Sequence, residues 1–235
     1  MNAIILAAGM GTRLRPLTNY TPKALVKVNG EPIIEKQIKY LKDIGIEDIT
    51  IVTGYLNQKF DYLVDKYGVK TIFNDKYDVY NNGYTMYLVK DILQNSYVLE
   101  GDVYLTRNFL QTDINESTYF AGKKENFINE WVLEFNNLNE VTNIKIDSGT
   151  DYIMSGVSYW TTEDGRIIKT KLEEIVENNS FENLFWDDLV KDNLQDFNIK
   201  ISLIESTDWF EIDSIIDLEK AEGYEKRRVY QNPEV

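Results

Sequence analysis

The sequence contains no histidine and no cysteine among its 235 residues. Without them the chain cannot form a Ser-His-Asp triad, a Cys-His nucleophile pair, a zinc site of Cys and His ligands, a thiol redox centre or a disulfide. Any catalytic chemistry must therefore use carboxylates, Lys, Arg, Tyr, backbone amides and metal ions that prefer oxygen.

Basic residues are also scarce, since 25 Lys and Arg stand against 39 Asp and Glu and give a formal charge of −14. This balance argues against a general binder of nucleic acid or of anionic membranes, because both carry negative phosphates. No apolar run approaches the length of a membrane-spanning helix. We predict a cytoplasmic protein that binds neither nucleic acid nor membrane.

The chain has only 4 prolines, and no proline-rich linker, internal repeat or low-complexity block divides it. Hydrophobic residues make up 43% of the sequence and charged residues 27%, which is typical of a folded globular protein. We predict a single domain over residues 1–235.

Short apolar runs alternate with helical patterns in the first half of the chain. Residues 3–8, 49–52, 69–73 and 96–99 are rich in Ile, Val and Leu, as is typical of strands buried on both faces. Strands that alternate with helices imply right-handed β-α-β crossovers. We predict an α/β fold with a Rossmann-like, mostly parallel sheet and helices on both of its faces.

The pattern changes after about residue 115, where strand-like runs occupy residues 118–121, 131–135, 141–146 and 152–160. We predict that these runs form a small antiparallel cap in the second half of the chain. A last helix is expected to start at Ser214, capped with Asp217. The polar residues 224–235 indicate a frayed terminus, or a linker to a further C-terminal domain in a longer parent chain.

A glycine-rich turn, GMGTR at residues 9–13, directly follows the first predicted strand. Open α/β sheets bind ligands at the carboxyl ends of their strands, and small residues there let backbone amides approach phosphate oxygens. The turn is neither a P-loop nor a dinucleotide fingerprint, since Leu14 stands where the third glycine would be. We predict a nucleotide phosphate site, with Arg13 and Lys23 as its cations, formed by Leu6, Ala7, Ala8, Gly9, Gly11, Thr12, Arg13 and Lys23.

Three segments together resemble the signature of the nucleotidyltransferases that activate sugar 1-phosphates and phosphocholine. They are LAAGMGTRLRPLT at residues 6–18, PKAL at 22–25 and GEPI at 30–33. Four further segments are similar to the bacterial choline-phosphate cytidylyltransferases, and a relative that activates 2-aminoethylphosphonate has the same plan. They are FNDKY at 73–77, YNN at 80–82, NEW at 129–131 and FWD at 185–187.

The resemblance implies a nucleotide-binding half over residues 1–115 and an acceptor-binding half over residues 116–235. It also implies transfer of CMP from CTP to a small zwitterionic phosphate or phosphonate, with release of pyrophosphate. We place Tyr80, Asn81 and Asn82 near the base or ribose.

Acidic residues near two strand ends are candidate metal ligands. Asp102 lies just beyond a hydrophobic strand, and alternation in WFEID at residues 209–213 puts Glu211 and Asp213 on one face. Mg²⁺ favours carboxylate and phosphate oxygens. We predict Asp102 and Asp213 as Mg²⁺ ligands, the positions that hold the metal in the family that the motifs resemble, with Glu211 beside them. Arg13, Lys23, Asp102 and Asp213 are the predicted catalytic residues.

Aromatic residues are concentrated in the second half, where they can bind an ammonium group through their π faces. Our candidates for the acceptor pocket are Trp131, Phe185, Trp186, Asp187, Asp188 and Glu211. Phe185 and Asp188 depart from the tyrosine and asparagine expected for the choline-phosphate enzymes. The sequence leaves the acceptor open among phosphocholine, 2-aminoethylphosphonate and phosphoethanolamine, and it does not decide between CTP and UTP.

Two other functions remain open at this stage. A sugar-1-phosphate nucleotidyltransferase shares the front half of the chain but needs polar groups where this sequence has aromatics and acids. A nucleotide-sensing subunit without turnover needs no complete set of catalytic residues, whereas Arg13, Lys23, Asp102 and Asp213 are all present.

Overall fold

A computed structural model describes residues 1–177, 181 and 183–231. The described residues form eleven strands and six α-helices. In chain order they are β1 (Asn2–Ala7), β2 (Lys27–Val28), β3 (Glu31–Pro32), α1 (Ile33–Asp43), β4 (Ile49–Thr53), α2 (Asp61–Tyr67), β5 (Lys70–Phe73), α3 (Asn82–Leu88), β6 (Ser96–Glu100), β7 (Val103–Leu105), β8 (Ser117–Phe135), β9 (Val141–Trp160), α4 (Thr162–Glu177), α5 (Trp186–Asp192), β10 (Ile199–Leu203), β11 (Trp209–Glu211) and α6 (Ile215–Gln231).

The central sheet has seven strands in the order β10-β8-β9-β6-β1-β4-β5. Strands β6, β1, β4 and β5 pair in parallel, and β10 is parallel to β8, whereas β9 is antiparallel to both of its neighbours. The predicted fold class is therefore confirmed. Because the sheet takes strands from both halves of the chain, the two halves share one framework.

Strand β1 explains why both faces of this sheet are covered. Its side chains alternate, so that Ala3 and Ile5 pack in one core cluster while Ile4 and Leu6 pack in another. All four are nearly or fully buried. A continuous apolar run is what a strand needs when helices cover it on both sides.

The four short runs predicted after residue 115 are parts of two long strands, which corrects the expected boundaries. β8 and β9 form a hairpin that pairs from Thr118 opposite Tyr159 to Phe135 opposite Val141, with several register shifts. The polar residues between the apolar runs stay in the strands because their backbones pair across the hairpin while most of their side chains reach solvent. Two-stranded antiparallel sheets, β7–β11 and β2–β3, complete the fold.

The last helix starts where the sequence predicts, since Ser214 and Asp217 exchange capping hydrogen bonds. It does not fray at residue 224, however, but continues to Gln231. The Arg228 guanidinium donates to the carbonyl of Thr106 at 2.6 Å, which ties the helix to the segment after β7. Residues 232–235 lie outside the described part of the chain. Within that part, no helix combines the length and apolar character needed to cross a membrane.

Candidate active site

The glycine-rich turn leaves the carboxyl end of β1 in a conformation that requires glycine. Gly11 has a φ of 59°, and a Cβ added there would lie 3.0 Å from Cβ of Lys23 and 3.1 Å from Cγ2 of Thr18. The Thr18 hydroxyl donates to the Gly11 carbonyl at 2.7 Å and holds the turn. A larger residue at position 11 would therefore push Lys23 away from the turn.

This turn forms one wall of a cavity of about 310 Å³. The cavity contains every predicted nucleotide-binding residue except Arg13, which lines a neighbouring cavity. Sequence reasoning did not assign Asn74, Tyr77 and Thr85 to the site, although all three line it. Asn74 directly follows β5, and the rule that ligands bind beyond the carboxyl ends of parallel strands could have indicated it.

Lys23 lies at the centre of the site, where its ammonium group contacts both Asp102 and Asp213. Arg13 also reaches Asp213, at 2.7 Å. Burial disfavours the charged form of Lys23, but the two adjacent carboxylates outweigh this effect and raise its pKa. Lys23 therefore carries its positive charge throughout the physiological pH range.

Asp102, Glu211 and Asp213 meet although more than a hundred residues separate the first from the others. Each offers a carboxylate oxygen, and these oxygens lie within 4.8 Å of one another. Pairing of β7 with β11 brings them together, and the backbone N–H of Ile212 donates to the carbonyl of Asp102 at 3.0 Å. Desolvation and the charges of Asp102 and Asp213 raise the pKa of Glu211. A cluster of three carboxyl groups that offers only oxygen ligands suits a hard divalent cation.

A second cavity of about 480 Å³ adjoins the first. It is lined by Trp131, Phe185, Trp186, Asp187 and Glu211 among the predicted acceptor residues. Asp188 lies outside this lining, because its carboxylate accepts from Lys191 at 2.6 Å and from the backbone N–H of Phe185 at 3.3 Å. Its role at the start of α5 is that of a helix cap.

The aromatic residues of the second cavity differ in exposure. Trp186 is 3% exposed, and its ring packs edge-on against Trp160 with centroids 5.6 Å apart. Phe185 is 45% exposed. Trp186 is therefore mainly a core residue whose indole edge reaches the cavity, whereas Phe185 and the half-buried Trp131 offer accessible rings.

Two further carboxyl groups give the second cavity its negative character. Asp187 accepts a hydrogen bond from the Tyr119 hydroxyl at 2.9 Å, and desolvation raises the pKa of Asp187 to about 7. Glu100, which sequence reasoning did not assign to the site, lines both cavities. Desolvation, followed by the charges of Asp102 and Asp187, raises the pKa of Glu100. Within the described residues neither carboxyl group is paired with a Lys or Arg.

Comparisons with known proteins confirm the resemblance to the nucleotidyltransferases. A family model described as "Nucleotidyl transferase" matches residues 2–124. The chain is 47% identical over 222 residues to a choline-phosphate cytidylyltransferase of Streptococcus pneumoniae, covering 94% of this chain and 97% of that protein. It is 33% identical over 221 residues to a 2-aminoethylphosphonate cytidylyltransferase of Lancefieldella rimae, covering 92% and 90%. A solved structure of the CTP:phosphocholine cytidylyltransferase from Streptococcus pneumoniae superposes with a TM-score of 0.93 at 47% identity, covering 95% of this chain and 98% of that one.

Proposed function

This chain belongs to the nucleotidyl transferase family, and on that basis we propose that it is a Mg²⁺-dependent cytidylyltransferase that transfers CMP from CTP to phosphocholine and releases pyrophosphate. One observation carries the proposal: the two cavities share Lys23, Asn82, Glu100 and Asp102. A triphosphate in the first cavity and an acceptor phosphate in the second would therefore meet beside Lys23. A cytoplasmic location remains a prediction.

The second cavity is chemically suited to a zwitterion. Arg13 and Lys23 supply positive charge beside Asp213, where an acceptor phosphate has to arrive. Asp187 supplies negative charge, and the rings of Trp131 and Phe185 supply π faces, for an ammonium group. An acceptor with an anionic and a cationic end uses both parts.

A second acceptor, 2-aminoethylphosphonate, is favoured by the carboxyl group of Asp187, which lines the second cavity and forms no salt bridge with a described residue. A primary ammonium donates hydrogen bonds to such groups, whereas a quaternary ammonium has no proton to donate. One relative of this chain is named for that acceptor. The same cavity offers aromatic rings and acids where a sugar would need partners for many hydroxyl groups.

The reaction is an in-line displacement at the α-phosphorus of CTP. An oxygen of the acceptor phosphate forms the new bond to phosphorus while the bond to the pyrophosphate oxygen breaks. The attacking oxygen is already ionised near neutral pH, so the chain needs no general base. Backbone amides of the glycine-rich turn and the charges of Lys23 and Arg13 hold the phosphates and offset their charge.

Asp102 and Asp213, with Glu211 beside them, would hold the Mg²⁺ ion. When bound, the ion supplies further neutralisation of phosphate charge.

The proposal is tested by measuring pyrophosphate release from each of the four nucleoside triphosphates with phosphocholine, 2-aminoethylphosphonate, phosphoethanolamine and glucose 1-phosphate. We expect release with CTP and an ammonium-bearing acceptor. Preference for the sugar phosphate would support the rival transferase activity. Binding of CTP without any release would support a nucleotide sensor.

The position of Trp131 in the second cavity predicts that its ring binds the acceptor. Replacing Trp131 with Leu is expected to raise the acceptor KM about tenfold, because one cation–π contact contributes about 0.5–2 kcal/mol. The KM for CTP should change less than about twofold, since Trp131 lines only the second cavity. Steady-state kinetics with each substrate varied in turn provide the measurement.

The variant Trp131→Phe, which retains a π face, is the matched control and should raise the acceptor KM by a smaller factor. 3,3-Dimethylbutyl phosphate, an isostere of phosphocholine with an uncharged head group, should show little difference in KM between the wild type and Trp131→Leu. Equal increases in both KM values would contradict this role for Trp131.

Asp187 predicts a pH dependence of acceptor binding. The ionised carboxylate attracts the cation, so binding releases a proton from Asp187, and affinity is full above its pKa of about 7 and falls below it. The groups that act on Asp187 are the Tyr119 hydroxyl on β8, Asp188 on α5 and Glu100 on β6. We expect the acceptor KM to rise as the pH is lowered from about 8 to about 6.

The variant Asp187→Asn should flatten this profile, whereas titration of the acceptor phosphate affects both proteins equally. An unchanged profile in Asp187→Asn would remove Asp187 from acceptor binding.

A further inference from the structure

Glu100 connects segments that belong to different parts of the site. Its Oε1 atom accepts from Nδ2 of Asn82 at 3.3 Å and from the indole N–H of Trp186 at 3.2 Å. Asn82 begins α3 and lines both cavities, and Trp186 begins α5 and lines the second. Oε1 of Glu100 therefore links the start of α3, beside the first cavity, to the start of α5, beside the second.

The two helix starts also contact each other directly. Oδ1 of Asn82 accepts from the backbone N–H of Trp186 at 2.9 Å, and the backbone N–H of Gly83 donates to the carbonyl of Leu184 at 3.2 Å. A Cβ added at Gly83 would lie 2.8 Å from that carbonyl oxygen, so the approach depends on glycine. Asn82, Glu100 and Trp186 thus form a closed triangle of hydrogen bonds.

The backbone of Glu100 is held from the opposite side. The buried side chain of Gln37 donates to the carbonyls of Glu100 and Val103 at 2.8 and 2.7 Å. The adjacent Gly101 N–H donates to the carbonyl of Leu6, at the end of β1, at 2.9 Å. The peptide unit that follows Glu100 is therefore anchored at both its carbonyl and its N–H, and the Glu100 carboxyl group that Asn82 and Trp186 contact extends from this held backbone.

We propose that Glu100 is a positioning residue that aligns the nucleotide and acceptor sites through Asn82 and Trp186. This inference rests on the cytidylyltransferase function proposed above. Its role depends on an oxygen acceptor at the Oε1 position rather than on negative charge. Loss of that acceptor leaves the side-chain N–H of Asn82 and the indole N–H of the buried Trp186 without this partner, so that both substrate sites are affected by one substitution.

The test compares Glu100→Ala with Glu100→Gln. We expect Glu100→Ala to raise the KM values of both CTP and phosphocholine at least about fivefold, because two hydrogen bonds to Oε1 are lost. Glutamine keeps a carbonyl oxygen in the same position and should recover most of this loss for both substrates. Asp164→Ala is the matched control. Asp164 is a buried carboxyl that Ser117 and Thr161 contact at the other end of the sheet, and its loss should lower Tm without changing either KM.

A double-mutant cycle examines the acceptor arm. Trp186→Phe removes the indole N–H, so adding Glu100→Ala to it should raise the acceptor KM by less than Glu100→Ala does alone. If the two substitutions instead raise the acceptor KM by independent factors that multiply, the proposal is overturned.

Two other results would also overturn it. One is unchanged KM values in Glu100→Ala. The other is a rise confined to the acceptor that Glu100→Gln does not reverse, which would make Glu100 a cation-binding residue. A wild-type protein without transfer activity would instead refute the proposed function.

Discussion

Replacement of Asp213 by Asn is expected to reduce kcat/KM by about a thousandfold. A metal ion that neutralises phosphate charge lowers the free energy of the transition state by several kcal/mol, and the variant loses a ligand of that ion. Asp213 contributes to the proposed metal group and also contacts Lys23 and Arg13. The variant Asp102→Asn should behave similarly, since Asp102 belongs to the same group. Steady-state pyrophosphate release measures the loss.

Binding of Mn²⁺ in place of Mg²⁺, followed by electron paramagnetic resonance, separates a lost metal site from a lost fold. Asp213→Asn should bind the ion much more weakly than the wild type at an unchanged Tm. Asp164→Asn, which alters a carboxyl group at the opposite end of the sheet, should bind it as the wild type does. Normal turnover in Asp213→Asn would exclude a role for Asp213 in the reaction.

Lys23→Met is expected to lower kcat/KM by at least about a hundredfold, because a preorganised cation in a site shielded from water offsets the charge that develops on transferred phosphates. Lys23 lines both cavities, and its side chain is only 15% exposed. The loss should include both a higher KM for CTP and a lower kcat.

Lys23→Arg should restore only part of the activity, since the planar guanidinium group does not replace a compact ammonium between two carboxylates. Lys59→Met, which removes an exposed lysine outside both cavities, provides the control. A Lys23→Met variant with unchanged kcat and CTP affinity would show that Lys23 does not contact the transferred phosphates.

Much of the first half of the fold is predictable because its signals are local. The apolar run of β1 and the glycines that follow it are adjacent in the chain, and their patterns directly reflect burial and backbone conformation. The hairpin of β8 and β9 was harder to predict. Polar side chains interrupt its apolar pattern, whereas backbone pairing between the two strands maintains them.

Single residues of the site also differ in whether the local sequence reveals their role. Asp102 and Asp213 are recognisable as acids next to strands, and the resemblance to a known family pairs them. Glu100 has the same kind of local signal, two residues before Asp102, but its significance comes from Asn82 and Trp186. Those contacts depend on where α3 and α5 begin, and no spacing in the sequence encodes that.

The sequence by itself determined the available chemistry and the nucleotide turn, because residue types and short-range backbone preferences are properties of neighbouring residues. A chain without histidine or cysteine must use oxygen ligands and cations, and a glycine turn after a buried strand is suited to phosphate. Only the tertiary structure decided which acids meet, that Asp188 caps a helix, and that Glu100 lies between the two cavities. These results depend on strand order and helix docking, which are set by packing between residues far apart in the chain.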